Sequence, residues 1–390
     1  MDSDLVFCWG NINMLAYCII FIIALFFVRM AENSYNKADK RNRVLAFLFI
    51  SIVILLLSLF AGFRNIEIGT DTKVYLNGYF NTAKLINSWN DLGLIDSDEI
   101  KDMGFFAYCV IITSISYQDW FALFSFELLI LGVMYYALFK LSRLYSFSIS
   151  VFSYLYLMVS YNYSLNIVRQ ACAMSFILLA FYYLQEKKWL KFAIISIIAV
   201  SFHTVSIIAF LIFAFYYLSK MEFKNTKKMI LILLLLSFFV ITNYQYLLMI
   251  VVQSGLISPY YIMSYADASS NAATRMSNTD IVLLLTIFMT LYFAKKKEIL
   301  NKNCFVFALL CTIAYGTFYL FAFFNQHMFR IALPFYLMSI FFVSIVLSSK
   351  NLPLLYKGLL YFVFTFSWYY LYIICNNGET YPYKSDILGI

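Results

Sequence analysis

Charge is scarce in this chain. Only 12% of its 390 residues are Asp, Glu, Lys or Arg, where a soluble domain carries roughly 25%. Histidine occurs twice, too rarely to supply a metal set. The seven cysteines lie mostly inside apolar runs and form no CxxC pair, so neither a disulfide framework nor a zinc site is indicated. The N-terminus lacks the basic stretch of a cleaved signal: Asp2 and Asp4 precede the first apolar run, which reads as a retained span. A phosphate-cradling glycine loop is missing, so no nucleotide cofactor is implied, and there is no internal repeat, low-complexity tract or interdomain linker. What fills the space is apolar. The chain is 63% hydrophobic and 21% aromatic, with a mean hydropathy of +0.81. That composition excludes a water-soluble globule, a disordered chain and a nucleic-acid binder. The net charge of +8 then reads as Lys and Arg kept on the cytoplasmic side of a membrane.

Apolar runs bounded by polar clusters predict twelve spans. They fall at about 12–28, 44–62, 120–139, 147–162, 167–184, 189–202, 205–219, 229–245, 280–294, 303–323, 329–348 and 355–374. A typical crossing takes roughly 17–25 residues, so several are short. Residues 105–116 are shorter still and read as a re-entrant or interfacial helix. Residues 189–219 read as two short spans or one re-entrant hairpin, and 246–258 as lying at the outer interface. Basic residues test this arrangement. With the N-terminus outside, 20 of the 28 Lys+Arg fall in inner loops and 8 outside; if 105–116 crossed, the split would become 9 inside and 19 outside. The positive-inside rule selects the first topology. The expected fold is an all-α polytopic membrane protein of about 12 transmembrane helices plus a re-entrant or interfacial helix. It forms a single transmembrane domain over residues 1–390, with extracytoplasmic segments at 64–119 and 246–279.

The outer side collects arginine. Inside, 16 of the 20 basic residues are Lys; outside, four of the eight are Arg64, Arg169, Arg275 and Arg330. Three of these sit at outer helix ends and Arg275 in a loop a few residues before a helix. Arginine within a span is costly and tends to be kept where the guanidinium binds something. Its fork grips phosphate oxygens bidentately, which Lys cannot do. A single such arginine also snorkels to headgroups or pairs with a carboxylate. Four on one side, three beside Asn65, beside Asn166 and Gln170, and beside Asn325, Gln326 and His327, favour an anionic site. Both histidines, His203 and His327, fall on the same side, and imidazole is the usual proton acceptor near neutral pH. A lone histidine at a membrane end is more often structural than catalytic. Glu127 lies within a span and reads either as part of a proton-coupled carrier or as a structural partner for arginine. Outer tyrosines (Tyr75, Tyr79, Tyr161, Tyr163, Tyr260, Tyr261, Tyr265) belong to an interface belt or stack on sugar faces.

A family resemblance runs through these residues, from about 60 to 340. Phe63-Arg64-Asn65-Ile66-Glu67-Ile68-Gly69-Thr70-Asp71-Thr72-Lys73-Val74-Tyr75 resembles the R-x-x-x-x-G-x-D-x-x-x-Y signature of the EpsG/Wzy-type polysaccharide polymerases. Gly104-Phe105-Phe106 resembles that family's E-P-G-F-like segment, with Asp102 and Met103 where the acid and proline usually stand. Asn166-Ile167-Val168-Arg169-Gln170 is similar to its N-x-x-R-Q helix start, Ser201-Phe202-His203-Thr204 to its F-H-x-[ST] element, and Arg330 with Tyr336 to its later R-x-x-x-x-x-Y.

The resemblance implies a GT-C-like, metal-independent glycosyltransferase without a cofactor. It would act at the periplasmic face of the bacterial inner membrane, joining undecaprenyl-pyrophosphate-linked oligosaccharides into O-antigen or a related polymer. Those lipid-linked units are donor and acceptor alike; membrane lipid and a chain-length regulator are further partners in view, and nucleic acid is not. On this reading Arg169, Arg275 and Arg330 bind the donor pyrophosphate, and Arg64 joins them or anchors its loop. His203 or His327 is the base, and Asp71 is a rival base or an acceptor-hydroxyl ligand. Asn166, Gln170, Tyr75 and Tyr336 complete the substrate-binding set. An O-antigen ligase, a flippase or proton-coupled transporter using Glu127, and a non-catalytic scaffold are the alternatives.

Overall fold

The computed structural model describes residues 3–37, 39–86, 102–221, 246, 249, 278–322 and 327–389. The span expected at 229–245, nearly all of the 246–279 segment and Arg275 therefore lie outside the described residues. Among the described residues all regular structure is helical. Five helices are long and apolar enough to cross a bilayer: Asn13–Tyr35, Lys40–Gly62, Asp119–Tyr145, Lys302–Leu320 and Phe329–Ser348. Shorter apolar helices lie between them. The chain is an all-α polytopic membrane protein.

The chain divides into two compact units, Met1–Ile207 with Leu347–Ile390, and Ile208–Val346. In order, the first holds α1 (Ser3–Tyr35), α2 (Lys40–Gly62) and α3 (Thr72–Tyr75), which runs through a π turn at Leu76–Phe80 into α4 (Asn81–Ala83). It continues with α5 (Met103–Thr113), α6 (Asp119–Tyr145), α7 (Ile149–Val159), α8 (Tyr161–Asn166), α9 (Val168–Gln185) and α10 (Trp189–Phe202). A 3₁₀ turn at Thr204–Ile208 leads to the second unit, α11 (Ala209–Lys220), α12 (Asn278–Lys296), α13 (Lys302–Phe321) and α14 (His327–Ser348). The first unit closes with α15 (Leu354–Trp368), a π turn at Tyr369–Ile374 and a tail.

Within the first unit α1 packs on α2, α2 on α6, α6 on α9 and α9 on α10, while α7 lies against α1 and α15 against α7. Large apolar side chains point outward from α1 and α2, including Ile22, Phe47 and Leu48. Only 28% of the α1 apolar window and 39% of the α2 window are buried. In water such faces would be a liability; in a bilayer they meet acyl chains. Charge is admitted where backbone needs it. Glu32 of α1 is buried and accepts the N–H groups of Ile149 (3.0 Å) and Ser150 (3.3 Å) and the Ser148 hydroxyl (2.9 Å). It caps, from a neighbouring helix, the donors that the α7 N-terminus leaves open.

In the second unit α11 and α12 both pack on α13. The window of α14 is 89% buried, and its Phe335 stacks on Phe318 of α13 and meets Phe215 of α11.

One expected span is broken. The run at 147–162 stops at Ser160 (φ −126°, ψ −28°), α8 forms a short offset helix, and Ile167 (φ −91°, ψ 54°) breaks the path again before α9. Hydropathy hides the cause, which is a polar residue at every second position from 160 to 166. Asn162 accepts from Trp368 Nε1 (3.0 Å) and donates to Thr380 Oγ1 (3.0 Å). The Ser164 hydroxyl donates to both Glu127 oxygens at 3.1 Å. These bonds reach other segments, which a continuous helix would turn away from.

Candidate active site in the first unit

The signature loop after α2 is held on three sides. Gly69 takes φ +92°, a left-handed conformation that glycine adopts without strain. Its N–H donates to Glu379 O (2.9 Å), and Asn65 N–H donates to Lys384 O (2.8 Å), so the tail lies along the loop. From the other side Asn166 Oδ1 accepts the Asp71 N–H (2.8 Å) and the Thr70 hydroxyl (3.1 Å). Beneath, Arg64 is 4% exposed and donates to Ala61 O (2.8 Å) and Leu165 O (2.7 Å). Each Nη atom donates to one of these carbonyls while the buried Nε has no hydrogen-bond partner among the described residues, so Arg64 ties the loop to the end of α8.

Asp102 stands immediately before α5, and α5 approaches α10 closely at Gly104. A Cβ there would lie 2.9 Å from the carbonyl carbon of Ser201 and 2.7 Å from its Cβ. Helix α10 ends at His203, whose backbone is extended (φ −159°, ψ 117°). That break turns the next groups toward Asp102. The N–H and hydroxyl of Thr204 each donate to Asp102 Oδ1 at 3.1 Å, and His203 Nδ1 is 3.3 Å from Oδ2. Arg169, second residue of α9, reaches the same Oδ2 with Nη1 at 2.6 Å and donates to Tyr79 Oη at 2.6 Å. Its guanidinium lies 4.7 Å from the Tyr75 ring and 4.8 Å from the Tyr79 ring, within cation–π range. Phe105 meets Tyr75, Tyr79, Phe126 and Phe202, forming an aromatic wall behind the cluster.

The electrostatics follow from this packing. Burial pushes the Asp102 carboxyl upward, but the His203 hydrogen bond, the Arg169 charge and the Thr204 N–H outweigh it and hold it below its ordinary value. Asp102 is therefore ionised at neutral pH. A carboxylate facing Nδ1 fixes the Nδ1–H tautomer of neutral His203, which places the basic lone pair on Nε2. One buried carboxylate oxygen thus orients a cation and an imidazole together.

Of the residues singled out by sequence, Tyr75, Arg169 and His203 meet here, and Tyr75 Oη donates to Asp71 Oδ2 at 2.9 Å. A string of polar groups runs from Asp71 through Tyr75, Arg169 and Asp102 to His203. Asn166 and Arg64 shape the loop, and Gln170 is buried beside Arg169 in α9. Arg330 and Tyr336 belong to α14 of the second unit, where Arg330 is half-buried and Tyr336 stacks on Tyr315 at 4.6 Å. His327 opens that helix. Glu127 is buried against Ser164. Sequence reasoning passed over Asp102, noting it only as a substituted motif acid, and did not single out Thr204. The signal was available: an acid two residues before the Gly104-Phe105 pair is where a helix start brings a carboxylate against the F-H-x-T turn. Among the described residues no group of three His, Cys, Asp or Glu side chains gathers as a metal site would require.

The first unit is thus that of a helical membrane protein with an ion pair and an oriented histidine buried against an aromatic wall, a polar cluster of the kind that marks a candidate functional site. The EpsG family matches residues 47–385, and the chain belongs to that family. Membership makes it a polysaccharide-polymerase-like membrane protein. No curated protein and no solved structure matches the chain.

Proposed function

We propose that the protein is a glycosyltransferase that polymerises lipid-linked oligosaccharides at the periplasmic face of the inner membrane, making O-antigen or a related surface polymer. The donor is an oligosaccharide on undecaprenyl pyrophosphate, and a second such unit is the acceptor. The observation that carries this reading is the Asp102 carboxylate shared by Arg169 and His203.

In the reaction an acceptor hydroxyl oxygen forms a bond to the donor anomeric carbon as the bond from that carbon to the diphosphate breaks. The electron pair leaves with the lipid pyrophosphate, and the hydroxyl proton passes to His203 Nε2. Arg169 stabilises charge building on the diphosphate, a term that preorganised donors supply most effectively. Arg275 and Arg330 act with it on the donor, His327 is the alternative base, and Asp71 hydrogen-bonds the acceptor hydroxyl or takes its proton. Gln170 and Tyr336 are further candidates for contact with substrate.

The test is reconstitution of the purified protein in lipid with one lipid-linked repeat unit. Chain extension with release of lipid pyrophosphate is expected. Translocation of the unit without a new glycosidic bond would replace this reading with a carrier; in a parallel reaction supplied with lipid A core, transfer onto that core with no chain extension in either reaction would replace it with a ligase.

A further inference from the structure

The second unit carries a groove that this reaction does not use. It encloses about 510 Å³ between α12 and α13, within the range of ligand pockets. Its walls are Phe288, Leu291 and Tyr292 of α12 and Phe305 and Leu309 of α13; its end is formed by Lys295 and Lys296. Positions 288, 291, 292, 295 and 296 recur at helical spacing, so one face of α12 runs from apolar to cationic within two turns. Lys295 Nζ lies 5.3 Å from the Phe305 ring centroid, which holds one ammonium at the groove mouth.

A second cationic element meets the same end. Helix α13 begins at Lys302, capped by Asn301 through Cys304 N–H, so its positive dipole end opens near the terminal lysines of α12. The basic-residue bias assigns this end to the cytoplasmic side. Basic pockets between membrane helices on that side suit anionic lipid headgroups. The order of the lining matches such a lipid: acyl chain along the aromatic and leucine wall, phosphate at the lysines.

We propose that the α12–α13 groove is a binding site for an anionic phospholipid of the inner leaflet. The phosphate sits at Lys295 and Lys296, and one acyl chain lies against Phe288, Leu291 and Leu309. Zwitterionic lipids fill the groove less well because their cationic group opposes the same lysines.

The full-length protein, stripped of lipid in detergent, is titrated with phosphatidylglycerol or phosphatidylcholine, and retained lipid is counted by native mass spectrometry. Phosphatidylglycerol is expected to be retained in preference. The paired substitution Lys295→Gln with Lys296→Gln is expected to weaken that retention by on the order of tenfold or more. Leu309→Trp, which fills the groove and keeps both charges, should weaken it as well. Lys350→Gln with Lys357→Gln removes two cations elsewhere and should leave retention unchanged. Equal retention of both lipids, full retention by the Lys295/Lys296 pair, or an equal loss in the Lys350/Lys357 control would overturn the assignment. A folded elution profile for each variant separates lost binding from lost structure.

Discussion

At the scale of single residues the site turns on what a guanidinium does that an ammonium does not. Arg169 holds Asp102 and Tyr79 with one nitrogen and stacks between two tyrosine rings. A lysine at this position keeps the charge but neither the planar fork nor the stacking. Arg169→Lys should therefore lower chain extension by ~100-fold or more while protein level and membrane insertion stay normal. Arg330→Lys should do the same on the donor reading, and long polymer from both variants would remove the bidentate phosphate role. Asp102 makes a second prediction. Its carboxyl is depressed in the folded state, so the stabilisation it contributes is complete above the ordinary Asp value and drains away as pH falls through the depressed one. In detergent, wild type should melt well above Asp102→Asn at pH 7, and the gap should close as pH drops far below 3.8. A constant gap would mean that charge on Asp102 contributes nothing. Arg169 and His203 were legible because they stand in recognisable short motifs. Asp102 was obscured because its charge matters only through partners 67 and 101 positions away.

At the scale of elements the decisive feature is the approach of α5 to α10. Residues 103–113 are too short to span, and their helix instead delivers Asp102 to the broken end of α10. Gly104 permits that approach, since a methyl group there meets backbone as well as side-chain atoms of Ser201. Gly104→Ala should push the two helices apart by a few tenths of an ångström or more, stretch the Asp102 contacts and cut turnover more than it lowers insertion. Gly104→Val should do both more severely. Undiminished turnover by the alanine variant would show that the close approach is not required. The short helix was legible from its length; the flanking lysines bound the segment 189–219 without deciding between two short spans and one hairpin, and the structure has α10 at 189–202 and, after a 3₁₀ turn, α11 from 209. The break between α7 and α8 was not, because Ser160, Asn162, Ser164 and Asn166 lie among residues apolar enough to mask them in any window average. Their meaning resides in long-range hydrogen bonds.

At the scale of the molecule the sequence stated the environment plainly and the closure of the first unit hardly at all. Hydropathy and low charge mark a polytopic membrane protein because every backbone group in lipid must be satisfied within its own helix. The tail from Asn377 to Gly389 has no apolar run and no periodicity, yet it lies in the heart of the first unit. Tyr383 is fully buried, stacks on Phe60 at 4.0 Å and donates to Phe60 O at 2.8 Å. Tyr17 of α1 donates to Thr380 O at 2.6 Å, Ser385 donates to Phe63 O at 2.5 Å, and Asn65 Nδ2 donates to Asp386 Oδ2 at 2.8 Å. The tail thus fastens α1 and the signature loop together, and through that loop it sets Tyr75, whose hydroxyl holds Asp71, against Arg169. Tyr383→Ala removes a buried ring and should cost about 3–5 kcal/mol. Tyr383→Phe loses only the hydroxyl bond and should cost about 1 kcal/mol. Thermal melts of the purified variants measure both. Hydrogen exchange in residues 63–75 should rise sharply in the alanine variant and little in the phenylalanine one. If exchange in that loop stays at the wild-type level when the ring is gone, the tail does not hold the loop, and the link between the chain's end and the site falls with it.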